Sequence, residues 1–143
     1  MRYFLAGLVG LVASLLILPP AVAAAKTASR TPLDLDRRRV VIAAVRRATL
    51  EQAEALARLA VEETGLGRVD DKTTKNRLCS TKTPGPEDLE VQAVSGADGM
   101  TITEFAPFGV VGSISPVTNP AATVINNAIS IISAGNAVVF NSH

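Results

Sequence analysis

A chain of 143 residues with 14 basic and 13 acidic side chains has a formal net charge of only +1. This length suits a single domain, and the balanced charge together with only 3% aromatic residues argues against a nucleic-acid-binding protein. One cysteine in the whole chain excludes an internal disulfide.

The first 25 residues have the pattern of a targeting segment. Met1 and Arg2 precede an apolar run from Tyr3 to Leu18, and small residues follow as far as Ala25. One positive residue, an apolar stretch of about fifteen residues and an Ala-x-Ala site are typical of a secretory signal peptide. We therefore predict an apolar N-terminal helix over residues 1–25, either a cleaved signal peptide or a membrane anchor. A misassigned start is the remaining alternative.

A long helix is predicted from Asp36 to Glu63. Its apolar face at helical spacing would comprise Val41, Val45, Ala48, Gln52, Ala55, Leu56 and Leu59. The arginines at 37–39 and 46–47 are interpreted as a solvated basic face, because the net charge is small and no aromatic residues accompany them.

Shorter elements follow this helix. Residues 70–76 are predicted to form a second, short helix, and Thr83-Pro84-Gly85-Pro86 is predicted to form a turn. Residues 99–105 are predicted to form a strand that leads into the next unit. The middle of the chain is thus mainly helical up to that strand.

A strand, a helix and a second strand are predicted in the last part of the chain. Residues 109–115 are short, apolar and rich in Val and Ile, which is typical of a buried strand. Asn119 and Pro120 favour a helix start, the helix runs over 121–134, and a second strand covers 137–140. Two strands joined by a crossover helix form a right-handed parallel βαβ unit.

The loop between the first of these strands and its helix is the predicted ligand site. Open α/β sheets bind ligands at the carboxyl ends of their strands, beside a helix N-terminus. Asn119 has two interpretations: a helix cap and nothing more, or a side chain that belongs to a site. Asn126 and Asn127, inside an apolar helix, either bond to a neighbouring loop or line a cofactor pocket.

Motifs in this order carry a family resemblance: AVEETGLGRV at 60–69, APFGVV at 106–111, PVTNP at 116–120, VINNAIS at 124–130 and AGN at 134–136. They resemble the aldehyde dehydrogenase superfamily over about residues 40–143. Within it, the chain is most similar to the CoA-acylating acetaldehyde and propionaldehyde dehydrogenases.

The resemblance implies an α/β fold over residues 36–143, with N-terminal helices before the start of a Rossmann-like cofactor-binding domain that is incomplete. It implies oxidation of a small aldehyde to an acyl-CoA with NAD and CoA. Asn119 would donate a hydrogen bond to the oxyanion. The residues expected to contact the cofactor are Ile114, Ser115, Pro116, Val117, Thr118 and His143. Many NAD-linked members have a lysine where this chain has Asn141.

The resemblance also implies that the nucleophile is absent. In the family, a cysteine far beyond residue 143 attacks the aldehyde. Cys79 does not match that cysteine in position, although Lys75, Arg77 and Lys82 are near it in sequence and favour a thiolate. We interpret Cys79 as an incidental thiol and expect no metal site. The chain alone is expected to be an inactive fragment.

The alternative is a non-catalytic exported or membrane-anchored scaffold or interaction protein that retains the βαβ unit. Residues 1–25 favour export or a membrane, whereas the family resemblance favours the cytoplasm. The partners implied are a small aldehyde substrate and either a complementing C-terminal chain or further copies of this chain. Nucleic acid is not expected, and a membrane is expected only if residues 1–25 are retained.

Overall fold

The computed structural model describes residues 33–142, and of Ser142 the backbone alone. The predicted targeting segment, residues 1–25, and the predicted cofactor residue His143 lie outside the described residues. Among residues 33–142, no helix is both long and apolar enough to span a bilayer.

Four helices and four strands make up the described part of the chain, with one short 3-10 turn at Pro86–Asp88. The helices are α1 (Leu35–Glu51), α2 (Ala53–Thr64), α3 (Val69–Lys82) and α4 (Pro120–Ser133). The strands are β1 (Gln92–Gly96), β2 (Gly99–Thr103), β3 (Val110–Ser115) and β4 (Ala137–Ser142).

The predicted long helix is wrong in one respect, because it is broken at Gln52. This residue has φ −96° and ψ 4°, and the chain continues as α2 one residue later. The buried face is also displaced from the predicted one. Of the seven residues predicted there, only Val45 and Leu56 are buried, whereas Gln52 and Leu59 are exposed.

Polar bonds explain this displaced face. Thr49 is buried because its hydroxyl donates to the carbonyl of Val45 (2.9 Å) and accepts from Ser80 Oγ (2.8 Å). A hydroxyl whose donor and acceptor are both used within the protein can be buried at little cost. The inner side of α1 is therefore partly polar, which an apolar pattern does not reveal.

Helix α3 is longer than the predicted 70–76 segment and extends to Lys82. Its buried side chains are all polar: Lys72, Thr73, Asn76 and Ser80. Asn76 is 2% exposed and donates from Nδ2 to the carbonyl of Ala53 at 2.9 Å. Hydrogen bonds replace an apolar stripe on this helix, and they join it to α2.

The strand predicted at 99–105 exists as β2, but it does not enter the βαβ unit. It pairs antiparallel with β1, from Gln92 opposite Thr103 to Gly96 opposite Gly99, through a two-residue turn. Gly99 has φ 133°, a conformation that side chains disfavour. The two strands form a two-stranded sheet of their own. All ten of their residues are exposed.

The predicted βαβ unit is confirmed. Strands β3 and β4 pair in parallel, with Val110 opposite Ala137 and Ser115 opposite Ser142, and α4 connects them. The prediction that the first strand is buried is wrong for one face. Ser113 and Ser115 are buried beneath α4, whereas Val110 and Ile114 point outward and are exposed. Within the described residues, only one face of the sheet is covered.

Helix α4 is the centre of the core. Its apolar residues meet α1 and α2 in one cluster: Ile42, Val45, Leu56, Ala60, Ala121, Val124, Ile125 and Ile129. Each large aliphatic side chain buried in this way contributes about 1.5–3 kcal/mol. The core thereby fixes the start of α4, and with it the loop that follows β3.

Candidate functional site

The candidate site is the loop between β3 and α4. Strand β3 ends at Ser115 and α4 begins at Pro120, so the four intervening residues leave the carboxyl edge of the parallel sheet. This is the position at which open α/β sheets present ligand-binding groups. The sequence prediction of where these residues lie in the fold is confirmed.

Asn119 occupies the N-cap position of α4, but its side chain does not cap the helix. Its backbone carbonyl accepts from the N–H of Thr123 at 3.1 Å. Its side-chain Oδ1 accepts from Lys75 Nζ at 2.8 Å instead. The interpretation of Asn119 as a helix cap and nothing more is therefore wrong, and its carboxamide belongs to a contact with α3.

A second lysine of α3 holds the same loop. Lys72 Nζ donates to the carbonyl of Thr118 at 2.8 Å. Burial lowers the pKa of Lys72, and the nearby charge of Lys75 lowers it further. One turn of α3 thus presents two ammonium groups to two neighbouring residues of the loop, one to the backbone and one to a side chain.

The space between α3 and the start of α4 is too small for a ligand. It is lined by Ala60, Lys72, Lys75, Asn76, Asn119, Pro120, Ala121 and Ala122. Its volume is about 10 Å³, enough for one water molecule at most. Buried Lys72 and exposed Lys75 therefore support the loop from its α3 side, and a cofactor would have to approach the loop from elsewhere.

The other predicted loop residues differ in environment. Ile114 is exposed, Pro116 and Val117 are half-buried, and Thr118 is exposed. The hydroxyl of Ser115 is buried and has no hydrogen-bond partner in the described part of the chain. An orphaned buried hydroxyl costs about 1–3 kcal/mol, and this one lies at the strand end where the predicted site begins.

Asn126 and Asn127 form part of a hydrogen-bond chain between Thr83, the residue after α3, and the sheet. Thr83 Oγ1 donates to Asn126 Oδ1 (3.0 Å), and Asn126 Nδ2 donates to Asn127 Oδ1 (3.1 Å). Asn127 Nδ2 in turn donates to Ser113 Oγ (2.9 Å). Of the two interpretations of these amides, hydrogen bonding to neighbouring elements is the one that the structure favours.

Cys79 does not have the environment of a nucleophile. It is half-buried on α3 and packs against the apolar core. Burial raises the pKa of its thiol, and the charge of Lys75 offsets only part of that effect. The predicted incidental thiol fits this environment.

Among the described residues, no group of three or more His, Cys, Asp or Glu side chains has an arrangement that could hold a metal ion.

The contacts of Lys72 and Lys75 with the loop were not predicted from the sequence. The two lysines lie three residues apart, a spacing that puts two side chains on one helix face. That spacing was the available signal, but it does not indicate which distant loop the face contacts.

Comparison with known proteins agrees with the family resemblance of the sequence motifs. Residues 18–143 match the Aldehyde dehydrogenase family. This match begins well before residue 40, where the resemblance was predicted to start, and it overlaps the end of the predicted targeting segment. The acetaldehyde dehydrogenase (acetylating) EutE of Escherichia coli is 53% identical over 126 residues, which are 88% of this chain and 27% of that protein.

Solved structures agree with the sequence comparison. The propionaldehyde dehydrogenase from the Clostridium phytofermentans fucose utilisation bacterial microcompartment is 50% identical, with a TM-score of 0.73 over 78% of this chain and 26% of its own. An engineered glycolyl-CoA reductase with bound NADP+ is 45% identical, with the same TM-score and the same two coverages. The chain spans about a quarter of the length of the relatives it matches.

Proposed function

Because the chain belongs to the aldehyde dehydrogenase family, we propose that residues 36–143 form the N-terminal part of the cofactor-binding domain of a CoA-acylating member. The parent reaction is oxidation of a small aldehyde with NAD and CoA to give an acyl-CoA and NADH. The names of the relatives support this proposal, since one is an acetylating acetaldehyde dehydrogenase and another a CoA-linked reductase that binds NADP+.

One observation carries the proposal for Asn119. Its Oδ1 is bonded to Lys75, while its Nδ2 has only a 3.5 Å contact with Thr118 Oγ1. The amide N–H groups are therefore available as donors at the carboxyl edge of the sheet. Asn119 donates to the oxyanion that forms when a thiolate attacks the aldehyde. A preorganised donor of this kind is worth about 3–4 kcal/mol in the transition state.

The cofactor contacts are proposed for Ile114, Ser115, Pro116, Val117 and Thr118, together with His143. Two observations fit a nicotinamide cofactor at this edge. The apolar side chain of Ile114 is exposed one residue before the strand ends, and the Ser115 hydroxyl lacks a partner within residues 33–142. Lys72 holds the Thr118 carbonyl, so the loop keeps its shape as the cofactor binds. When bound, the cofactor supplies the hydride acceptor.

The nucleophile is proposed to lie outside these 143 residues. A thiolate has to attack the aldehyde carbon, and Cys79 is packed against the core with a raised pKa. Either the remainder of a longer enzyme or a separate complementing chain would supply the reactive cysteine. Association of several copies of this chain is the other partner that we propose.

A chimaera tests this function. The matched residues of this chain replace the corresponding segment of the E. coli acetylating enzyme, and CoA-dependent reduction of NAD by acetaldehyde is followed by absorbance. We expect activity, and we expect Asn119→Ala to lower kcat by roughly 10²–10³-fold with a smaller change in KM.

Asn126→Ala is the matched control, since it removes an amide of α4 whose partners within residues 33–142 are Thr83 and Asn127. It should leave kcat close to that of the unsubstituted chimaera. A folded chimaera without activity, or an Asn119→Ala variant with full kcat, would contradict the proposed function.

A further inference from the structure

We infer that Lys75 is a positioning residue that fixes the direction of the Asn119 carboxamide and so keeps its N–H groups facing the oxyanion. This inference rests on the function proposed for Asn119. It concerns a residue of a different helix, 44 positions earlier in the chain.

The chemistry of the contact determines how the amide is oriented. A lysine ammonium has three donors and no acceptor, so the side-chain atom that lies 2.8 Å from Lys75 Nζ has to be the oxygen of Asn119. Oxygen and nitrogen of an amide are otherwise difficult to distinguish. With Oδ1 held on the α3 side, Nδ2 is directed away from Lys75, where its contact with Thr118 Oγ1 is long at 3.5 Å.

A helix-capping role competes with this orientation of the Asn119 side chain. An asparagine before the first turn of a helix ordinarily turns its oxygen to the N–H groups of that turn. The side chain of Asn119 makes no such bond here. We attribute this to the ammonium, because hydrogen bonds to a charged donor are stronger than those between neutral groups. The same charge draws electron density toward Oδ1 and makes the Nδ2–H groups better donors.

Helix α3 provides a rigid base for this contact. Buried Asn76 joins the helix to the carbonyl of Ala53, and Lys72 holds the Thr118 carbonyl one turn from Lys75. A catalytic group performs best when its supporting residues are themselves fixed by packing and hydrogen bonds. Lys75 therefore belongs to a helix whose position relative to the loop is fixed by packing and hydrogen bonds.

The chimaera described above tests the inference. Lys75→Met keeps most of the length of the side chain but has no donor, and we expect kcat to fall about tenfold. This is the lower end of the cost of removing an orienting partner at metal sites, and less than the cost of removing the donor itself. Lys75→Arg should recover most of kcat. Lys82→Met, a change at an exposed lysine of the same helix, should have no effect.

A double-substitution cycle separates positioning from a merely structural role. If Lys75 acts through Asn119, then Lys75→Met should cause no further loss of kcat in the Asn119→Ala background. An equal tenfold loss in both backgrounds would overturn the inference, and so would an unchanged kcat in Lys75→Met. Both of these outcomes leave the proposed function of Asn119 intact.

A spectroscopic measurement on the folded chimaera tests the orientation of the Asn119 amide without relying on activity. Polarisation by Lys75 strengthens the double-bond character of the Asn119 amide C–N bond. Rotation about this bond, which exchanges the two Nδ2 protons with each other, should therefore be slow by NMR. We expect Lys75→Met to accelerate that exchange roughly fivefold and Lys75→Arg to restore it, in proportion to the strength of a charge-assisted bond. An unchanged exchange rate in Lys75→Met would overturn the inference.

Discussion

Asn119 has two hydrogen-bonding options at its position before α4, and the structure selects the less common one. Its oxygen could accept from the free N–H groups of the helix N-terminus as a cap, yet it accepts from Lys75 Nζ at 2.8 Å instead. The position of Asn119 was predictable from the Asn-Pro dipeptide. The direction of its amide was not, because that depends on a cation from another helix.

Cys79 provides a second prediction about a single side chain. Burial raises the pKa of its thiol, so less thiolate is present near neutral pH than for a free cysteine. We expect alkylation by iodoacetamide at pH 7 to be slower in the folded chain than in urea, and to accelerate as the pH rises through the ordinary thiol range. Lys75→Met removes the charge that lowers this pKa and should slow the reaction further. A folded thiol that reacts faster than the unfolded one would show that the environment activates it.

Among the elements, α3 is the one whose packing was hardest to predict. Its buried side is made of polar residues that bond to the backbone and side chains of its neighbours, as Asn76 and Ser80 do. The end of this helix is held by Arg46 of α1, which donates to the carbonyls of Ser80 (3.0 Å) and Thr83 (2.7 Å). Because its guanidinium also pairs with Glu87 (2.9 Å), Arg46 joins α1 to the turn after α3.

Substitution of Arg46 tests how much these hydrogen bonds between elements stabilise the fold. We expect Arg46→Ala to lower the free energy of unfolding by about 1–3 kcal/mol, since two carbonyls lose a charged donor. Arg46→Lys should restore little, because an ammonium lacks the planar fork that reaches several acceptors together. Urea unfolding followed by circular dichroism measures both. The adjacent Arg47 is exposed and is the matched control; an equal loss in Arg47→Ala would contradict the assignment.

Across the whole molecule, the parallel sheet is covered by α4 on one side and is apolar on the other. Residues that point outward from it include Val110, Ile114 and Val139, which are 73%, 66% and 61% exposed, and Phe108 before the sheet is 98% exposed. Contiguous exposed apolar surface of this kind is typical of a contact face or an aggregation hazard. An open strand edge adds to that tendency.

We therefore expect the isolated chain to self-associate. Sedimentation velocity should show species larger than a monomer, and Val110→Thr combined with Val139→Thr should shift the distribution toward the monomer because it removes apolar area from the outer face. Thr74→Ser on the exposed side of α3 is a suitable control. A monodisperse monomer with a sharp, reversible thermal transition would contradict this expectation.

The βαβ unit, the position of Asn119 and the family were predictable from the residues alone, because these depend on local features: a Val- and Ile-rich strand, an Asn-Pro helix start and ordered motifs. Four features depend on how the elements pack: the break at Gln52, the polar face of α3, the separate hairpin of β1 and β2 and the contact of Lys75 with Asn119. Apolar periodicity records which side of one element is buried. Hydrogen bonds between polar groups that are distant in the chain have no periodicity, so they appear only when the elements are packed together.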